Sequence, residues 1–432
     1  MTYCAAGGEG RSLTDQELAD LLSQAVSKAL ADQGDAGQAL ILPPDGTRAH
    51  SKAGYITDLL CRELGGRAAA VMPALGTHSP MTDTELRRMF PGTPFEKFRV
   101  HNWRKDVERI GVLEADWVAH ASEGAVHYPW PAEVNKALVS GGYSLIISIG
   151  QVVPHEVAGM ANHAKNIFVG AGGKEAIDKS HFLGASYGME RIMGRTDTPV
   201  RALFDEALNR FGHLLPPILW VLTVIGALSG EEAAASGAAR GSLAVRGLFA
   251  GFGRACFEEA ARLSQKVNMT RLEEPLEKAV VFLDPEEYRT TWLGNKAVYR
   301  TRMAMADKGE LVILAPGLER FGEDLGNDAL IRRHGYRPAG VIKEKLAQEP
   351  ELAGNLSAAA HLIHGSSEGR FLVRYCPGKG VTRAELEAAG YQWGSLDEAL
   401  LRYKGLDPGW NTLPHGERVF FIPNPALGLW TR

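Results

Sequence analysis

Side chains able to do acid-base and anion chemistry recur directly behind three short apolar runs of this 432-residue chain. Asp45, Thr47, Arg48 and His50 follow residues 39–42; Gly76, Thr77 and His78 follow 68–72; Gln151, Pro154 and His155 follow 143–149. If each run is a strand of one open parallel sheet, these residues share the crevice beyond the carboxyl ends of the strands, where ligands of such sheets bind. There His78 and His155 are suited to exchange protons near neutral pH, and Arg48 offers a fork of donors to a carboxylate or phosphate. Taken singly, Asp45 is also an ordinary turn residue, Thr47 an ordinary cap and each histidine an ordinary packing residue. The recurrence at three strand ends is what points to chemistry.

Residues 155–182 are denser still. Gly170, Gly172 and Gly173 precede Lys174 and could present backbone N–H groups to a phosphate at a helix start. They match neither common phosphate-loop spacing, so a glycine turn without a ligand is an equal reading. His155, His163 and His181 could instead hold a metal, although their separations of eight and eighteen residues fit no compact zinc motif. From the residues alone the chemistry is that of an anionic ligand handled by histidine acid-base groups, with a metal left open.

At these residues the chain resembles the lactate racemase family, the nickel-pincer-nucleotide-dependent 2-hydroxyacid racemases and epimerases. The D-x-T-R turn is present as Asp45, Thr47 and Arg48, and the G-T-H loop as Gly76, Thr77 and His78. Pro154, His155 and Lys165 match the P-H…K element, with ten residues from His155 to Lys165 and sixteen more to His181. The resemblance implies an isomerase in which Lys165 carries the pincer nucleotide through a thioamide and His181 is the protein's ligand to nickel. It implies His78 and His155 as the acid-base pair, and Asp45, Thr77, Gly172 and Gly173 as cofactor contacts. It further implies substrate contacts from Arg48, Asn295 and Lys296, a small 2-hydroxy acid as substrate, and cofactor-biosynthesis proteins as partners. The family's Q-x-x-K substrate loop is missing: residues 292–300 offer Asn295, Lys296 and Arg300 instead. That departure ranks an aldonate such as gluconate ahead of lactate, with malate third. A zinc hydrolase and a non-catalytic carboxylate or nucleotide binder are the competing classes.

Elements able to position these residues can be read along the chain. Thr14 and Glu17 open a capped helix to about residue 31, another helical pattern covers 55–64, and apolar runs at 39–42, 68–72 and 143–149 alternate with them. Residues 201–215 and those from about 256 read as helices, 217–225 and 243–249 as strands, and 233–241 as a mobile loop or cap. Further strand candidates lie at 279–283, 311–315, 371–375 and 419–422. The pattern predicts two α/β domains with mainly parallel sheets, residues 1–273 binding the cofactor and 274–432 closing over the substrate, with the active site in the crevice between them. A net charge of −4, 45% hydrophobic and 23% charged residues fit a folded chain with no general attraction to nucleic acid or anionic membranes. Four scattered cysteines, no secretory pattern and no apolar run of spanning length predict a cytoplasmic protein without disulfides.

Overall fold

A computed structural model of the chain describes residues 1–34, 37–239 and 241–432. It comprises two compact units, one of residues 1–180 with 193–268, the other of 181–192 with 269–432. The first is built on strands β1 (Thr2–Gly7), β2 (Ala39–Leu42), β3 (Ala68–Val71), β4 (Leu145–Gln151), β5 (Ile218–Ala227) and β6 (Leu243–Phe252). They lie in the order β1-β6-β5-β4-β2-β3. Strands β5, β4, β2 and β3 are mutually parallel, while β6 and β1 continue the sheet antiparallel.

All seven residues of β4 are buried, which explains its unbroken apolar reading: a parallel strand covered on both faces has no polar side to display. Ile41, Val71, Ile147 and Val221 pack with Leu18, Leu22 and Val26 of the helix Asp15–Gln33 and with Ile56 and Leu60 of the helix Ala53–Leu64. Each such fully buried side chain contributes roughly 1.5–3 kcal/mol of transfer free energy. Thr14 and Glu17 close the expected capping box on the first helix.

The second unit has its own sheet of β7 (Leu276–Phe282), β8 (Met305–Ala315), β9 (Leu372–Pro377), β10 (Gln392–Trp393), β11 (Gly409–Thr412) and β12 (Arg418–Ile422). Its order is β10-β9-β8-β7-β12-β11, parallel throughout except for β11 against β12. The second unit takes up the chain after Asn268, and residues 181–192 join it as well. Ala185 is part of that unit's core and Glu190 pairs with Arg302 at 2.7 Å. The first crossing, after Ser180, falls inside one helix, Lys174–Tyr187, so no loop signal marks it.

Part of the expected loop at 233–241 is helical: Gly230–Ser236 is capped by Ser229 and Glu232, and Glu232 is held by Arg246 at 2.6 Å. Arg240 lies outside the described residues. The four cysteines are buried and free. Among the described residues no helix is long and apolar enough to cross a membrane.

Candidate active site

The carboxyl ends of β4, β2 and β3, neighbours in the first sheet, carry the loops expected to hold the chemistry. Asp45 caps the turn Gly46–Ser51, its Oδ1 accepting from the Thr47 amide at 3.2 Å and the Thr47 hydroxyl at 2.5 Å. Its Oδ2 meets Nδ1 of His78 at 2.6 Å. Burial pushes the Asp45 carboxyl up, but His78, Thr47 and Arg48 together outweigh it and hold the group below the usual carboxylate range. Asp45 is therefore a fixed, ionised acceptor for the His78 ring. His50 Nε2 lies 3.0 Å from Gln151 Oε1 and ties the same loop to the end of β4. Arg48 is half-buried and, among the described residues, makes no hydrogen bond or ion pair, which leaves its donors for an anion.

Gly76 turns the β3 loop with φ 59°, and its amide donates to the Gly170 carbonyl at 2.8 Å. A Cβ there would also crowd the Val169 carbonyl at 3.3 Å, so the turn requires glycine. Thr77 and His78, just beyond, are exposed.

Pro154–His155 pairs with Gly159–Met160 in a small hairpin. His155 is buried, and its Nδ1 accepts from the amides of Val157 at 3.1 Å and Ala158 at 3.4 Å. Beyond the hairpin, Asn162 and His163 take left-handed backbone conformations with φ 70° and 57°. Such strain persists only where its surroundings enforce it. Here the fully buried Arg201 donates to the carbonyls of Met160 at 2.6 Å and Asn162 at 3.2 Å. His163 is held between Trp220 and Phe257, with ring centroids 4.2 and 5.1 Å away, and burial pushes its ring well below the usual histidine range. Asp205, paired with Arg254, lies 3.8 Å from His163 Nδ1.

This bracket delivers Lys165, which is followed by one π-helical turn, Asn166–Gly170. Asn166 fastens that turn to the sheet through Ser148 Oγ at 2.9 Å and the Leu42 carbonyl at 3.4 Å. Lys165 itself makes no hydrogen bond or ion pair among the described residues. Burial, then the nearby Arg48 and Arg201, push its amine down to about 8 against the opposing pull of Glu156 and Asp45. An amine so placed is far more often neutral, and hence nucleophilic, than an ordinary surface lysine.

Two groups of expected contacts sit in packed surroundings. At Gly172 a Cβ would lie 1.9 Å from the Phe168 carbonyl, and at Gly173 2.4 Å from Glu133 Oε2. Close packing explains both glycines. The same Glu133 carboxylate accepts from the Ala176 amide at 3.3 Å, so the start of the helix already holds an anion. Asn295 is fully buried in the second unit, where its Oδ1 accepts from Tyr375 at 2.8 Å and Tyr391 at 2.9 Å, so that oxygen is built into the core. Lys296 is half-buried, with its ammonium 5.4 Å from the Tyr288 ring centroid.

His181 is half-buried on the helix Lys174–Tyr187 and belongs to the second unit. Among the described residues no three His, Cys, Asp or Glu side chains gather as a metal cage. Sequence reading missed the bracket of Arg201, Asp205, Trp220 and Phe257. Its one local trace is Arg201 with Asp205 four residues later, a spacing shared with many solvent-facing helix pairs.

Residues 9–191 match the family described as the lactate racemase N-terminal domain. A solved protein from Thermotoga maritima shares the fold with a TM-score of 0.79 at 22% identity, covering 98% of this chain and 99% of its own. The lactate racemase apoprotein from Thermoanaerobacterium thermosaccharolyticum does so with a TM-score of 0.70 at 16% identity, covering 99% and 95%. No curated protein matches. Residues 9–191 thus match the lactate racemase N-terminal domain, and the chain as a whole carries a fold shared with a lactate racemase.

Proposed function

We propose that this protein is a racemase or epimerase that inverts C2 of a 2-hydroxy acid, working with a nickel-pincer nucleotide joined to Lys165. The observation that carries the reading is the amine of Lys165, without a partner and pushed down to about 8, ten residues after His155. A thioamide needs such an amine, neutral and free to be acylated, so the residue fits the group. Bound there, with His181 as the protein's ligand to nickel, the group would supply a hydride acceptor.

The chain's residues do the rest. Arg48, with its guanidinium unengaged, holds the substrate carboxylate through paired hydrogen bonds. His78, backed by Asp45, and His155 are the imidazoles that act on the hydroxyl. Removing the hydroxyl proton as hydride departs avoids a carbanion beside a carboxylate, whose charge makes the C–H a poor acid. The product of that removal is a planar 2-keto acid without a stereocentre, and hydride supplied to its other face would invert the centre. An aldonate stays ahead of lactate in the expected order because the Q-x-x-K pair is missing, with malate behind both.

The test uses protein produced together with cofactor-biosynthesis proteins and incubated with single enantiomers of lactate, gluconate and malate in deuterated water. Inversion that retains the original hydrogen at C2 is expected. Extensive deuterium at C2 during inversion, or no inversion of any 2-hydroxy acid by nickel-loaded protein, contradicts the proposal.

A further inference from the structure

We propose that the second unit carries a binding site of its own for a small organic anion, a carboxylate or phosphate head on an apolar body, in a cavity at the amino ends of β8, β9 and β10. The cavity holds about 490 Å³, within the range of small-molecule sites. Lys308 lines it from β8, Phe371 and Val373 from the start of β9, Tyr391 and Gln392 from the start of β10, and Arg337 from just before the helix Ala339–Gln348. In open parallel sheets substrates bind beyond the carboxyl ends of the strands, so a cavity at the opposite end is not the expected place for the reaction. All of its lining residues belong to the second unit, and none is a residue assigned above to catalysis or to the cofactor. The site is therefore independent of the racemase reading.

The charge on its walls is one-sided. No acidic side chain lines the cavity, and neither Arg337 nor Lys308 forms an ion pair among the described residues. Arg337 donates to the carbonyls of Tyr336 at 3.4 Å and Ala388 at 3.0 Å, neutral acceptors that fix the guanidinium without cancelling its charge and leave it further N–H groups. Gln392 Oε1 accepts from Arg374 at 2.7 Å, and its amide nitrogen has no partner among the described residues. The third cation is already committed: Arg370 meets Asp307 at 2.9 Å and the carbonyls of Arg302 at 3.1 Å and Met305 at 3.0 Å. So is the nearest other carboxylate, Glu368, whose oxygens accept from the Ala339 amide at 3.1 Å. What remains unspent is a surplus of donors and positive charge, which an anion satisfies.

Backbone geometry holds these cations in place. Gly390 has φ 97°, and a Cβ there would lie 2.1 Å from Arg337 Nη1, so the guanidinium occupies space that only glycine leaves. Lys308 is left-handed with φ 66°, its amide donating to the Arg370 carbonyl at 2.5 Å, a conformation that persists in a residue other than glycine only where its surroundings enforce it. The floor is apolar. Tyr336 and Tyr391 stack with ring centroids 4.7 Å apart, and both hydroxyls are engaged in the core, that of Tyr391 donating to Asn295 Oδ1 at 2.9 Å and that of Tyr336 lying 2.6 Å from Thr291 Oγ1. With Phe371 and Val373, the rings offer carbon rather than polar atoms to an occupant, which suits an apolar body below a charged head.

Isothermal titration calorimetry of the full chain with 2-naphthoate, 2-naphthyl phosphate, neutral 2-naphthylmethanol and acetate tests the proposal. Saturable binding of at least one naphthyl acid is expected, about tenfold or more tighter than the alcohol, the scale of one charge-assisted hydrogen bond, and tighter than acetate. The tighter acid identifies the head group. Arg337→Met, which keeps the apolar stem, and Lys308→Asn, whose side chain tolerates a left-handed backbone, should weaken that acid by a similar factor and leave the alcohol unchanged. Should one variant fail to fold, the other decides. Binding of neither acid, equal affinity for acid and alcohol, acetate bound as tightly as the acids, or acid binding unaltered in the folded variants overturns the proposal. Crystals soaked with the tighter acid should show its head group at Arg337 and Lys308, and density for it only elsewhere on the chain overturns the proposal as well.

Discussion

In the first unit, Lys165 leads into a π-turn whose polar groups are tied to two strands, while its own amine has no hydrogen bond among the described residues. In the second unit, Asn295 leads into the helix Lys296–Thr301 from a core where two tyrosine hydroxyls donate to its amide oxygen. Both residues are polar and both were marked by the sequence as ligand contacts. The difference lies in access and reactivity. The Lys165 amine is half-buried, reachable and pushed down to about 8, so it can meet a ligand as a nucleophile, whereas the Asn295 amide is fully buried, its oxygen accepting from two hydroxyls and its Nδ2 left without a partner inside the core.

Four substitutions test this contrast. Lys165→Ala is expected to abolish turnover while the far-ultraviolet circular dichroism stays that of the wild type, and residual turnover would return Lys165 to the ordinary lysines. Arg201→Ala removes the buried partner of two carbonyls and of the Asp205 cluster, and should lower the unfolding free energy by ~3 kcal/mol or more in urea titration. Asn295→Ala should act on stability alone. Tyr391 keeps a second acceptor in the Gly365 carbonyl at 2.8 Å, so Tyr375 is the hydroxyl left stranded, at a cost of ~1–3 kcal/mol, with the cofactor mass on Lys165 unchanged. The gentlest probe is Lys165→Met. With the folded amine at about 8 and an unfolded lysine near ~10.4, protonation opposes folding fully below about pH 8, decreasingly up to ~10.4, and not at all above it. Wild-type stability should therefore rise relative to Lys165→Met across that window. Parallel pH curves for the urea midpoint would show an amine that burial does not perturb.

How much of this was legible in the sequence depends on the range of the interactions. Strands β2, β3 and β4 announce themselves because a parallel strand buried on both faces is apolar without interruption, and the chemistry stands directly behind them. The pairing of His78 with Asp45 joins two loops 33 residues apart and follows from β2 and β3 being neighbours, so the motifs suggested a shared site but not which atoms meet. Gly172 and Gly173 read as a phosphate turn because glycine has two uses, bending a loop around a ligand and admitting a close neighbour, and composition cannot separate them. The burial of Asn295 depends on Tyr375 and Tyr391, some eighty and ninety-six residues away, and no local pattern carries that information. For the same reason the helix Lys174–Tyr187 gave no sign that its last turns belong with the second unit.

Lys165 is proposed to carry the cofactor. Peptide mapping by mass spectrometry, on protein produced together with cofactor-biosynthesis proteins and analysed for metal, tests it most directly. The expected result is a nucleotide-sized adduct confined to the peptide containing Lys165, accompanied by nickel that is lost in His181→Ala while the adduct remains. An unmodified Lys165 in nickel-containing, active protein, or the adduct on another residue, would contradict it.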